Sequence, residues 1–175
     1  MILQGENITL RPIQIDDYKI FYSWRNNQNY IELTQSVRFP KHELLEKKWV
    51  ESVALDTSNK NIYHIIEQAS NEEVIGFTAL SNINWISRNC YFGIAIPGDE
   101  NQGKGFSKEA SKLLFNYAFD KLGLKKIIIE VVSFNKKTIE AYKKFGFVQE
   151  GMLKENYFLN GTYHDVYIFS YFNKN

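Results

Sequence analysis

Tyr91-Phe92-Gly93-Ile94-Ala95-Ile96, followed after a short polar loop by Gln102-Gly103-Lys104-Gly105-Phe106-Ser107, is the stretch on which the fold turns. It reads as an apolar strand that hands over, through a glycine-bearing loop, to a helix running to about Leu122. At such a junction the first N–H groups of the helix have no intrahelical partner and carry the positive end of the macrodipole. Glycines there let an anion reach the backbone itself, so the stretch suits a phosphate or pyrophosphate. Beyond the helix come a second apolar strand, Ile127 to Val132, then Asn135 and a helix carrying Tyr142.

Two familiar glycine motifs fail on these residues. Gly98 to Gly105 approximates G-x-x-x-x-G-K-[ST], but Gly105 stands where a hydroxyl must bind Mg²⁺, and Asp99 and Glu100 would set carboxylates beside a triphosphate. The dinucleotide pattern G-x-G-x-x-G has Lys108 at its third glycine position. What remains is Q-x-x-G-x-small, carried by Gln102, Gly105 and Ser107, and it fits a coenzyme A pyrophosphate.

Those residues resemble the phosphate loop of the GNAT N-acetyltransferase superfamily, Q/R-x-x-G-x-G/A, with Ser107 in place of the usual Gly or Ala. The run from Asn135 to Phe147 resembles that family's second signature: an Asn, a Tyr seven residues on, then lysines leading into Gly146-Phe147. The likeness extends over nearly the whole chain and is greatest to the branch of ribosomal-protein, spermidine and amino-sugar acetyltransferases. It implies a mixed α+β fold in a single domain, residues 1–175. Its sheet would be seven-stranded and mostly antiparallel, with about four flanking helices and a splay between the fourth and fifth strands.

Composition bounds the chain in the same direction. At 175 residues and 44% hydrophobic it is long enough for one well-buried core and short for two ordinary domains. A net charge of +1 gives no electrostatic case for nucleic acid or an anionic membrane as main partner. The lone Cys90 rules out an intramolecular disulfide and a multi-cysteine zinc site, and suits a reducing cytoplasm. Neither a membrane-spanning apolar run nor a secretory leader is legible.

Taken in order, Asn7 to Pro12 alternates as an opening strand. Asp16 is a plausible N-cap for a first helix, ending at Trp24-Arg25-Asn26-Asn27. The irregular Gln28 to Phe39 is expected over an acceptor site. A second helix after Pro40 would bury Leu44, Leu45, Trp49, Val50 and Val53. Asn61 to Gln68, Glu73 to Leu80 and Arg88 to Ile96 read as strands. Two last strands meet at Asn160-Gly161, a strong hairpin signal because both positions favour positive φ.

Acetyl transfer from a thioester to an amine needs the thioester held, its carbonyl polarised, the amine neutral and the thiolate protonated. The resemblance implies acetyl-CoA as co-substrate. It places the pantetheine arm along the backbone of Ile94, Ala95 and Ile96, and the pyrophosphate on Gln102, Gly103, Lys104, Gly105, Phe106 and Ser107. Lys108 and Lys144 would contact phosphates. Asn135 would meet the pantetheine, besides suiting an N-cap. Tyr142 is the candidate general acid, since a phenol titrating near about 10 stays protonated at neutral pH; packed against Ile139 and Phe145 it also reads as a core aromatic.

The general base is less legible. Several relatives carry a Glu at the position aligned with Tyr91, and this chain does not. His64 and Glu67 are the candidates at one end of a water chain, with Glu32 and Glu130 also available. Cys90, in a strand without a neighbouring His or cation, reads as a buried structural thiol. The three scattered histidines indicate no metal site.

Trp24, Arg25, Tyr30 and Tyr91 are the candidate acceptor-binding residues. The acceptor is expected to be a small-molecule primary amine (amino sugar or polyamine) or a protein N-terminus. A catalytically silent coenzyme A-binding module is the rival reading, and aromatics on the final hairpin such as Tyr167 and Phe169 are compatible with a homodimer.

Overall fold

Asn160 and Gly161 both take positive φ, +48° and +81°, so the final hairpin closes through the tight turn its sequence demands. Its strands are β7 (Val148–Leu159) and β8 (Thr162–Phe172). They end an eight-stranded sheet in the computed structural model, which describes residues 1–27, 30–31 and 39–173. The other strands are β1 (Leu3–Gln4), β2 (Ile8–Pro12), β3 (Ile62–Gln68), β4 (Val74–Asn84), β5 (Asn89–Ala95) and β6 (Lys126–Val132). Spatial order is β1-β2-β3-β4-β5-β6-β8-β7, and β5 with β6 is the parallel pair. The strand beyond the expected seven is β1, a two-residue piece paired antiparallel with β2 and too short for an alternation pattern. The expected splay between fourth and fifth strands therefore falls between β5 and β6.

Four α-helices are described: α1 (Tyr18–Arg25), α2 (Glu43–Ala54), α3 (Phe106–Asn116) and α4 (Lys136–Phe145). Asp17, not Asp16, organises the entry to α1. Its carboxylate accepts the Gln14 N–H at 2.7 Å and both terminal nitrogens of Arg11 at 2.8 Å. The N-cap of α2 is His42, whose Nδ1 accepts the Leu44 N–H at 3.2 Å. The buried face of α2 runs through Glu46 and Val50, with Trp49 beside them; Leu44 and Leu45 are more than half exposed, against expectation. A π-helical turn, Tyr117–Lys121, extends α3 to the positive-φ Gly123.

Strand alternation sends side chains to two faces. Ile8, Leu10, Ile66, Leu80, Cys90, Phe92, Ile127 and Ile129 form the larger core with Phe106, Ala110, Leu114 and Phe115 of α3 and Ile139 of α4. The opposite face carries a smaller aromatic core in which Phe21, Val50 and Ile65 are fully buried against Trp24, Trp49 and Phe77. So α3 and α4 cover one face, and α1 and α2 the other. Among the described residues no helix is long and apolar enough to cross a membrane.

Candidate active site

Pairing between β5 and β6 lasts only from Asn89↔Lys126 to Tyr91↔Ile128. Beyond that the strands diverge, and a cleft of about 650 Å³ opens between them. Gly93 accepts from the Thr78 hydroxyl at 3.0 Å, so its carbonyl points to β4. Alternation then turns the peptide groups of Phe92 and Ile94 toward the gap, where a substrate arm can pair as an added strand. Ile94 and Ala95 line the cleft as expected, although the Ala95 peptide belongs to the β4 pairing through Phe77. Ile96 lies past the end of β5 and outside the cleft lining.

The loop after β5 delivers the backbone donors. Gly103 and Gly105 take φ of +75° and +82°, a region that L side chains rarely enter, and Gly105 is the N-cap of α3. An added Cβ at either would meet nothing within 4 Å, so this backbone faces open space. Gln102 accepts from Lys137 Nζ at 2.9 Å, which ties the loop to α4. The Phe106 side chain is buried in the core, so only its backbone is available to a ligand. Ser107 and Lys104 are exposed. Lys108 and Lys144 stand on a separate groove of about 460 Å³ between α3 and α4, together with Lys112.

Tyr142 and Asn135 enter the cleft from α4 and its N-terminus. Asn135 Oδ1 accepts the Thr138 N–H at 3.2 Å, capping α4. Tyr142 packs its ring 5.0 Å from Phe147, and burial pushes its phenol well above the usual tyrosine range. It therefore holds its proton at neutral pH and is placed to act as a proton donor, not as a base.

The opposite wall belongs to α1 and the α1–α2 face of the sheet. Arg25, Tyr30, Phe77, Ser81, Asn82 and Tyr91 line it. Arg25 Nη1 donates to Glu46 Oε2 at 2.9 Å, and its guanidinium lies 3.9 Å from the Trp49 ring centre. Trp24 is not on this wall; it stacks on Phe77 at 6.2 Å within the aromatic core. Sequence reasoning missed Phe77, Ser81 and Asn82: the β4–β5 register sets Ser81 opposite Tyr91 and Phe77 opposite Ala95, and Asn82 lies in the irregular stretch after Ser81.

Neither proposed base reaches the cleft. His64 is 4% exposed on the α3 face, edge-on to Tyr117, and burial holds its imidazole down at about 4. Glu67 is held by Arg11 Nε at 2.6 Å in a cluster with Asp17. Glu130 does line the cleft. On β6 the residues Ile127, Ile129 and Val131 fill the larger core, so Glu130 projects to the face that Tyr91 shares. Glu32 lies outside the described residues, as does most of the stretch expected over the acceptor. Cys90 is fully buried and its thiol is pushed up to about 12, so it is no nucleophile. Among the described residues no cluster of three or more His, Cys, Asp or Glu is placed to hold a metal.

Residues 7–148 match the family model described as an acetyltransferase (GNAT) domain. The chain belongs to the GNAT acetyltransferase family. It is 32% identical over 162 residues to spermidine N(1)-acetyltransferase of Vibrio cholerae, covering 93% of this chain and 91% of the relative. The crystal structure of the Vibrio cholerae spermidine N-acetyltransferase in complex with CoA and spermine superposes with a TM-score of 0.85 at 30% identity, covering 96% of each chain. A dodecameric structure of the Vibrio cholerae enzyme gives 0.79 at 31% identity, over 96% of this chain and 95% of the other. This GNAT chain is thus an acetyl-CoA-dependent N-acetyltransferase.

Proposed function

We propose that the chain acetylates a small primary amine by direct attack on acetyl-CoA in a ternary complex, with Tyr142 as general acid and Glu130 as the entry to the general base. The observation that carries this reading is the placement of both side chains on the cleft where β5 leaves β6. The thioester sits along the Phe92–Ile94 backbone, with the pyrophosphate on the N–H groups around Gly103 and Gly105. The amine reaches the cleft protonated, since alkylamines titrate near about 10. Glu130 takes its proton, directly or through water, and passes it to solvent.

The neutral nitrogen then forms a C–N bond to the carbonyl carbon. As the tetrahedral intermediate collapses, the nitrogen gives up its second proton to solvent by the same Glu130 route, the C–S bond breaks and the departing sulfur takes the Tyr142 proton. The phenolate that remains is disfavoured by the same burial that raised its pKa, so it recovers a proton before the next turnover. Lys108 and Lys144, on the separate groove between α3 and α4, have the charge to suit the remaining phosphate of the coenzyme. The test is release of free thiol from acetyl-CoA across polyamines, amino sugars, aminoglycosides and N-terminal peptides. Release that no amine accelerates would exclude the reading.

Assembly follows from the edge of the sheet. β7 has neighbours on one side only and exposes Val148, Met152 and Leu153. Such an edge invites self-association, with a homodimer as the simplest form, and the dodecameric relative supports an oligomer. Sedimentation at two concentrations tests it. The co-substrate and the single, buried Cys90 agree with action in the cytoplasm.

A further inference from the structure

The acceptor wall holds a cation that the mechanism does not use. Arg25 lies on the cleft, yet its guanidinium is fixed from behind and below. Glu46, only 1% exposed, accepts one N–H at 2.9 Å, while the Trp49 and Phe21 rings lie 3.9 and 5.4 Å from the guanidinium carbon. Among the described residues Glu46 is the one hydrogen-bond partner of this side chain. A guanidinium presents a planar fork of five N–H donors, so a single contact leaves most of the fork for a ligand. Its ordering cost has been met in advance by the stack and the ion pair. The pair also has a direction: the carboxylate is buried, and the positive end borders the cleft.

The other described residues of the wall do not offset that charge. Tyr30, Phe77, Ser81, Asn82 and Tyr91 are neutral, and Glu130 is the one carboxylate among the described lining residues. Glu130 is already committed to the reacting nitrogen. A polyamine, with further ammonium groups along its chain, would set one of them against Arg25 with no second carboxylate among the described lining residues to receive it. An amine that carries a carboxylate or phosphate would instead meet a prearranged fork.

Resting on the transferase reading, we infer that the acceptor bears an anionic group beside its amine, and that Arg25 is the residue that selects it. Glu46 acts through Arg25 as a positioning residue. The structural alternative is that Arg25 serves only to neutralise buried Glu46 and join α1 to α2.

The experiment uses the full chain, saturating acetyl-CoA and thiol release. Two matched pairs separate the anion sources: glucosamine 6-phosphate against glucosamine, and γ-aminobutyrate against n-butylamine, with spermidine alongside. The anionic member of at least one pair should exceed its neutral partner by about tenfold or more in kcat/KM, carried mainly in KM, as one charged hydrogen-bonded contact provides. Spermidine should trail that anionic amine. In the double variant Arg25→Gln with Glu46→Gln, which leaves no buried charge unpaired, the preference should vanish; Arg25→Lys should keep part of it. Melting curves confirm that each variant is folded. Spermidine as the best acceptor, matched pairs that react alike, or a preference that survives the double variant would each overturn the inference while leaving the transferase intact. If no amine accelerates thiol release, the transferase reading itself falls and takes the inference with it.

Discussion

Tyr91 and Ile128 are the last residues that β5 and β6 hold in register, and the site begins one step beyond them. On the acceptor face the next side chain along β6 is Glu130, while β5 offers Gly93, which has none. In the mechanism proposed above, the carboxylate is therefore supplied from β6, across the gap from Tyr91. The same divergence leaves β5 without a partner on its β6 side, so one departure from regular pairing opens both the backbone edge proposed for the thioester and the space beside Glu130.

Replacing Tyr142 by Phe keeps the ring against Phe147 and removes only the proton donor. We expect kcat to fall about 10²-fold or more, with little change in melting temperature. Steady-state rates and a thermal melt on one preparation check this. Unchanged turnover would falsify the acid assignment.

Glu130→Gln should lower kcat/KM by about 10²-fold at neutral pH. Its deficit should shrink as pH approaches the amine's own pKa near about 10, because more of the acceptor then arrives neutral. Glu130→Asp should fall in between. A deficit constant across pH would assign Glu130 to binding instead.

Gly105 holds φ +82° with open space where a Cβ would go, so Gly105→Ala is strained by backbone and not by collision. A cost of about 1–2 kcal/mol corresponds to a melting temperature lower by roughly 2–8 °C for a chain of this size. CoA affinity, read by calorimetry, should drop as well, since the new methyl group projects from the face proposed for the pyrophosphate.

His64 predicts an acid-sensitive fold. Its imidazole titrates near 4 when folded, against a usual value of 6.5. Below 6.5 the unfolded chain binds the extra proton, so stability falls as pH drops from 6.5 to 4 and is fully present above that window. The group accounts for about 3 kcal/mol across the window. Urea midpoints at pH 7 and pH 4.5 should differ accordingly, and His64→Leu should flatten the slope. An equal slope in the variant would assign the acid sensitivity to other groups.

What was legible in the sequence was local. The glycine loop, the Asn135 cap and the Asn160-Gly161 turn each rest on a few consecutive residues with a defined backbone demand. What was not legible depended on long-range register. His64 looks like a base until β3 is placed, and strand parity then sends it into the α3 face. Glu67 looks available until Arg11 arrives from β2. Arg25 and Glu46 sit on different helices, and nothing in either helix's own pattern pairs them. Leu44 and Leu45 satisfied a helical stripe, yet buried Glu46 shows the inward face lies elsewhere on α2.

At Gly103 and Gly105 the loop opens its main chain to the solvent in front of α3. A grip made of amides is encoded by shape, so most substitutions elsewhere leave it standing, and divergence can concentrate on the far wall where Arg25, Ser81 and Asn82 stand. Likeness among such enzymes therefore reports the donor they share far more faithfully than the amine each one modifies.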